Sequence, residues 1–120
     1  MVSALGKRRV NVMFRAFSDP TRLRVLNLLG AGELCVCDLV RVIDVPQPKV
    51  SRHLAYLRKA GLVTSRRDGP WMHYALSPTK SEFHRKLLEC LACCFTDVPE
   101  LRRDLKTLGR GSGGSGRCEG

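Results

Sequence analysis

The sequence predicts a mainly α-helical chain carrying one small β-hairpin, and three observations support that prediction. Apolar residues recur at i, i+3, i+4 and i+7 through most of residues 7–108. Two strand-like runs, 62–67 and 71–76, flank the turn Asp68-Gly69-Pro70. Proline and glycine punctuation at Pro20, Gly30 to Gly32, Pro46, Gly61 and Pro99 divides the helical pattern into separate helices. The expected order is α-α-α-α-β-β-α, the last helix extending into a terminal arm.

Each element follows from local chemistry. In residues 7–17, Val10, Met13, Phe14 and Phe17 form a helical stripe. Ser18-Asp19-Pro20 stops that helix and starts the next, with Asp19 as its cap and Pro20 in its first turn. Leu23, Leu26, Leu28 and Leu29 fill the second helix, with Thr21, Arg22 and Arg24 on its polar side. Val36, Leu39, Val40 and Ile43 make a third, short helix that ends at Asp44-Val45-Pro46.

In the fourth helix Val50, Leu54 and Leu57 form a buried seam. At 100° per residue, Pro48, Ser51, Arg52, Ala55, Tyr56 and Lys59 point away from that seam, while His53 falls at its edge. Gly61 closes the helix, and the hairpin follows directly. Two helices joined by a tight turn, the second of them basic and followed by a basic hairpin, make a winged helix-turn-helix.

Ser77-Pro78-Thr79 begins another helix, in which Phe83, Leu87, Leu88, Leu91 and Phe95 form an apolar face broader than a chain of this size needs. Thr96 to Pro99 kinks or restarts the helix, and Leu101, Leu105 and Leu108 continue the stripe. Such an arm is suited to dimerisation. From Gly109 the composition changes to six glycines in twelve residues, the signature of a flexible tail. The expected organisation is therefore a single domain over 1–108 and a Gly/Ser-rich tail over 109–120.

Charge points to the partner. The net charge of +10 on 120 residues implies a polyanion. Its placement is more telling. Residues 46–60 carry Lys49, Arg52, Arg58 and Lys59 with no acid, whereas residues 79–108 hold six basic and five acidic residues, an ordinary solvated surface. A basic helix entering the major groove presents side chains to base edges while flanking cations grip phosphates. Gln47, Ser51 and Arg52 are the expected base readers. Lys49, Arg58 and Lys59 are the expected phosphate contacts, Tyr56 suits either role, and Arg66 and Arg67 extend the contact onto the hairpin.

The apolar runs are short and broken, and the basic N-terminus is followed by no long apolar stretch. Neither a membrane span nor an export signal is expected, which places the chain in the cytoplasm. No phosphate-binding glycine loop and no nucleophile, base and acid constellation argues for an enzyme.

Six cysteines are many for a chain without an export signal, and they shift weight from disulfides towards soft-metal or thiol chemistry. Cys35 and Cys37 stand beside the start of the third helix, where amide N–H groups favour the thiolate. Cys90, Cys93 and Cys94 fall at i, i+3 and i+4, which would bring three sulfurs to one helix face. Cys118 lies in the tail. Soft ions favour sulfur ligands, and zinc or cadmium prefers four placed tetrahedrally. Three arrangements stay open: a complete site at Cys90, Cys93 and Cys94; Cys35 and Cys37 with a third sulfur from elsewhere, Cys118 or a small thiol included; and a redox pair or divalent-metal site. Packing of Cys90 and Cys94 in the dimer face is compatible with any of them.

Three ordered motifs carry a family resemblance: Phe17-Ser-Asp-Pro-Thr-Arg-Leu-Arg-Val-Leu, Glu33-Leu-Cys-Val-Cys-Asp-Leu, and Gln47-Pro-Lys-Val-Ser-Arg-His-Leu-Ala-Tyr-Leu-Arg-Lys-Ala-Gly-Leu-Val. With Trp71-Met-His-Tyr-Ala-Leu-Ser-Pro, they resemble the ArsR/SmtB-type metalloregulators and, within these, the arsenical-resistance operon repressors. The likeness covers roughly residues 10–108. It implies a homodimeric winged-helix repressor that binds a palindromic operator without a cofactor. Release would follow when As(III) or Sb(III), or in some members a divalent metal such as Zn(II) or Cd(II), binds cysteine thiolates. The resemblance assigns inducer ligation to Cys35 and Cys37. One departure stands out: Val40 occupies the place where the arsenic repressors normally carry a third cysteine.

Overall fold

The computed structural model describes residues 4–95 and 97–111. Four helices come first: α1 (Ala4–Phe17), α2 (Pro20–Leu29), α3 (Val36–Ile43) and α4 (Gln47–Lys59). A two-residue strand β1 (Leu34–Cys35) precedes α3, and the hairpin strands β2 (Val63–Asp68) and β3 (Trp71–Leu76) follow α4. The chain continues as α5 (Glu82–Ala92), a 3-10 turn (Cys93–Phe95) and α6 (Pro99–Gly111). The winged helix-turn-helix is present with its helices and hairpin in the expected order.

The core forms where α2 crosses the others. Val25, Leu26, Leu28 and Leu29 are all but inaccessible, and Leu39, Val50, Leu54, Leu57 and Leu62 close over them. At roughly 1.5–3 kcal/mol for each fully buried aliphatic side chain, this cluster is the dominant stabilising term. The corner between α1 and α2 is set by two local devices. Asp19 accepts the backbone N–H of Arg22 at 3.0 Å, capping α2 with Pro20 in its first turn. Arg22 then reaches back to the end of α1, donating from Nε to the Ala16 carbonyl and from Nη2 to the Arg15 carbonyl, both at 2.9 Å.

Asp44 makes the tight turn of the helix-turn-helix. Its φ of 60° lies in the left-handed region, and its N–H closes on the Val40 carbonyl at 2.9 Å. Gly61, at φ +82°, ends α4 with a paired closure. The Leu62 N–H bonds the Leu57 carbonyl and the Gly61 N–H bonds the Arg58 carbonyl, both at 3.0 Å. Leu57 and Leu62, both fully buried, complete the motif.

The sheet has strand order β1-β3-β2 and is antiparallel throughout. The wing runs from Val63↔Leu76 to Asp68↔Trp71 and turns through Gly69, whose φ of +62° suits the first position of a two-residue hairpin loop. β1 pairs on the other side of β3, Leu34 with Tyr74 and Cys35 with His73. That third strand is an addition to the expected hairpin, as two residues are too short to show a period of their own.

Three boundaries differ from expectation. β2 begins at Val63 rather than Leu62, because Leu62 belongs to the cap of α4. The penultimate helix begins at Glu82, capped by Ser81, whose side chain accepts the His84 N–H at 3.1 Å. α6 continues to Gly111, past the boundary expected at 108, and 112–120 lie outside the described residues.

The terminal arm also divides in use. Leu101, Asp104 and Leu108 of α6 are buried on the chain's own body, and Asn27 Nδ2 donates to the Leu101 carbonyl at 3.1 Å. Arg24 grips Asp104 with two bonds of 2.8 and 2.9 Å. The stripe on α6 therefore covers α2 and α3 of the same chain. Exposed apolar surface remains at Phe14 and Val98, around a groove also lined by Leu87 and Leu91. Among the described residues no helix is long and apolar enough to cross a membrane.

Candidate nucleic-acid interface and thiol site

The seam of α4 is buried as its spacing requires: Val50, Leu54 and Leu57 face the core, so the opposite face is left outward. Gln47, Lys49, Arg52, Ala55, Tyr56, Arg58 and Lys59 are exposed, and Ser51 is half-buried. No acidic side chain interrupts this helix. Pro46 starts it, its carbonyl accepting the N–H groups of Lys49 and Val50 at 3.0 and 3.1 Å.

Arg22, Lys49, Arg52, His53 and Tyr56 surround a depression of about 300 Å³ on this face. The Arg22 guanidinium lies 4.1 Å from the centre of the Tyr56 ring, a cation–π contact that fixes the ring's place on α4. His53 sits at the edge of the seam, with Nδ1 at 3.4 Å from Arg22 Nη1 and Nε2 at 3.8 Å from Asp19. Burial lowers the His53 pKa, and the neighbouring Asp19 carboxylate only partly opposes that shift. His53 thus sits half-buried at the inner edge of this face.

The wing is tied to both halves of the unit. Arg58 donates to Ser65 Oγ at 3.1 Å, joining α4 to β2. Arg66 forms a two-bond pair with Glu33 at 2.9 and 2.7 Å. That hydrogen bond holds the Glu33 carboxyl below its usual range and raises Arg66. Arg67 is exposed. Sequence reasoning left two residues here without a role: Arg22, read only as polar surface, and Glu33, whose partner is 33 positions away.

The thiols fall into two settings. Cys35 is fully buried at the end of β1 and occupies the cap position of α3; Cys37, in the first turn, is half-buried. Their Sγ atoms lie 2.8 Å apart. Val40 is half-buried and packs against the core one turn further on. In the second setting α5 ends at Ala92, so the helical face expected to carry Cys90, Cys93 and Cys94 is not continued through the last two. Cys90 and Cys94 line the apolar groove beside Phe14 and Leu87, while Cys93 is exposed outside it. The Cys94 thiol donates to the Cys90 carbonyl at 3.3 Å, and burial pushes its pKa up, aided by the neighbouring thiols and Asp97. Among the described residues no three His, Cys, Asp or Glu side chains are gathered to hold a metal ion. Cys118 lies outside the described residues.

An outward basic helix locked to a core by an apolar seam, with an adjoining wing, defines a winged helix-turn-helix DNA-binding protein. The chain belongs to the ArsR family of DNA-binding transcriptional repressors. Residues 19–65 match the model of the bacterial regulatory protein, arsR family. The arsenical resistance operon repressor of Escherichia coli K12 is 47% identical over 95 residues, spanning 78% of this chain and 81% of that protein. Among solved structures, HlyU from Vibrio cholerae N16961 superposes with a TM-score of 0.68 at 29% identity, covering 78% of this chain and 99% of the other. The AntR antimony-specific transcriptional repressor superposes at 0.65 with 26% identity, covering 81% and 86%. The family is one of regulators, not of enzymes.

Proposed function

We propose that this repressor binds a palindromic operator as a homodimer and is released when trivalent arsenic or antimony engages the thiolates of Cys35 and Cys37. The observation that carries this reading is that the two sulfurs are neighbours at the junction of β1 and α3. That junction is mechanically placed. Cys35 is paired across the sheet with His73, whose other neighbour is Arg66, and Arg66 is held by Glu33 two residues before Cys35. Drawing the two sulfurs onto one ion therefore acts on the strand that supports the wing. By linkage, DNA must weaken inducer binding by the same factor that inducer weakens DNA.

A trivalent ion needs one more ligand than this pair supplies, and a small thiol, water or Cys118 is the source. Support for arsenic or antimony as inducer comes from the names of the E. coli and AntR relatives. In the DNA complex Gln47, Ser51 and Arg52 read bases, Lys49, Arg58 and Lys59 hold phosphates, and Tyr56 packs alongside. Arg67 meets the backbone from the wing, joined by Arg66 once Glu33 releases it. The dimer forms across the groove at Phe14, Leu87 and Val98, placing the two reading helices about 34 Å apart.

Arsenite titrated against a protein–operator complex, read by fluorescence anisotropy, tests the thiol assignment. Cys35→Ser and Cys37→Ser should each abolish release, while the Cys90, Cys93 and Cys94 triple serine variant should respond as the parent does. Loss of release in the triple variant alone would transfer the site to the arm. The proximity of the two sulfurs also favours a second reading, a thiol switch. There a peroxide takes two electrons and two protons from the pair, forming a disulfide and water or alcohol. Release by peroxide in metal-free protein, with none by arsenite, would select it.

A further inference from the structure

We propose that the cavity between α1, the carboxyl end of α4 and the amino end of α5 binds a small amphiphilic organic anion of the aromatic carboxylate class. The cavity measures about 530 Å³, within the range of roughly 300–1,000 Å³ typical of small-molecule sites. Its apolar wall includes Met13 and Phe83, which suit a flat hydrocarbon ring. Arg8, Arg9, Lys59 and Lys80 are also at the cavity, and no carboxylate is among its lining residues. Four cations beside an apolar wall match a ligand with one charged end and one oily end.

His84 stands behind the cations. The side chain is completely buried and forms part of the cavity wall. Its Nδ1 accepts the Lys80 N–H at 3.4 Å, so the ring proton resides on Nε2. That Nε2–H is buried and has no acceptor among the described residues. A buried donor left unsatisfied is costly, but Nε2 is closed off from the cavity as the ring stands, so recognition of the anion falls to the four cations. Burial, reinforced by Lys80, also lowers the pKa of His84, keeping it a neutral donor. A phosphodiester chain would satisfy the cations but leave the Met13 and Phe83 wall uncovered; an amphiphile answers both.

The site differs from the thiols and from the DNA-reading face, yet it shares Lys59 with the latter. Resting on the phosphate role proposed for Lys59, ligand bound here competes with operator and acts as a second effector.

The test uses the full 120-residue chain. Naphthoate is titrated into DNA-free protein by calorimetry, with the neutral naphthyl alcohol as control. One naphthoate should bind per chain, with affinity reduced about tenfold by Lys80→Ala and by Arg9→Ala, the loss expected for one charge-assisted contact. Both substitutions are at exposed positions, and circular dichroism verifies that the variants fold. Absence of binding at millimolar naphthoate, equal binding of the alcohol, or unchanged affinity in both variants would overturn the site. Because this arm contains no DNA, it stands or fails apart from the operator reading. Saturating naphthoate should then lower operator affinity severalfold; unchanged affinity would overturn the effector role.

Discussion

Arg24 of α2 and Asp104 of α6 form a two-bond ion pair that ties the terminal helix to the core. Asp104 is only 4% exposed and both its oxygens are held by one guanidinium. Arg24→Ala leaves that carboxylate buried without its counter-ion, which should destabilise the protein by about 2–4 kcal/mol, read as a lowered urea midpoint. Replacing both partners with apolar residues of similar size should recover most of the loss. At the same scale, His53 and His84 are both held below the ordinary histidine range, chiefly by burial. The unfolded chain then takes up protons first as pH falls, so stability present above the unfolded pKa is lost through the folded values. The urea midpoint should fall as pH is lowered from about 6.5 to about 5, and a midpoint that rises there would contradict this account. Asp19 has a lowered pKa although burial opposes the shift, because the Arg22 N–H, His53 and Arg22 favour its charged form. Its contribution is present above the ordinary carboxylate pKa and is lost in stronger acid.

At the scale of elements, the junctions of the reading helix determine how the interface is presented. The closure at Gly61 aims the chain from α4 into the wing, and its φ of +82° is unfavourable for a residue with a side chain. A Cβ there would meet no atom within 4 Å, so Gly61→Ala isolates the backbone effect. The expected cost is about 1–2 kcal/mol in thermal or urea unfolding, without loss of helix content. The helices of this region were legible because each has an apolar stripe and its own stop signal. β1 was not legible. It exists only because β3 offers an open edge to Leu34 and Cys35. Sequence periodicity also gave no warning that α5 would end at Ala92, which decides whether three cysteines share a face.

For the whole molecule, operator binding should follow the polyelectrolyte rule. Lys49→Ala is expected to reduce the slope of log affinity against log salt by about 0.9 while leaving base preference unchanged. Gln47→Ala should instead relax choice at one or two base pairs with the slope retained. Competition anisotropy with single-base operator variants over a salt series distinguishes the two; equal loss on every sequence after Gln47→Ala would remove it from the base readers.

The sequence by itself determined the winged helix-turn-helix, the outward face of α4 and the thiol-bearing motif, because helical spacing, caps and charge are local properties of the chain. Only the tertiary structure decided which cations are already paired and which sulfurs lie together. Arg66 reads as a free wing cation until Glu33 is folded against it, and Arg22 reads as polar surface until α1 and Tyr56 close around it. Leu101 and Leu108 read as a dimer face until α6 folds back onto α2 and α3. Each of these outcomes depends on contacts between residues far apart in sequence, where periodicity carries no signal and burial, distance and hydrogen-bond geometry determine the result.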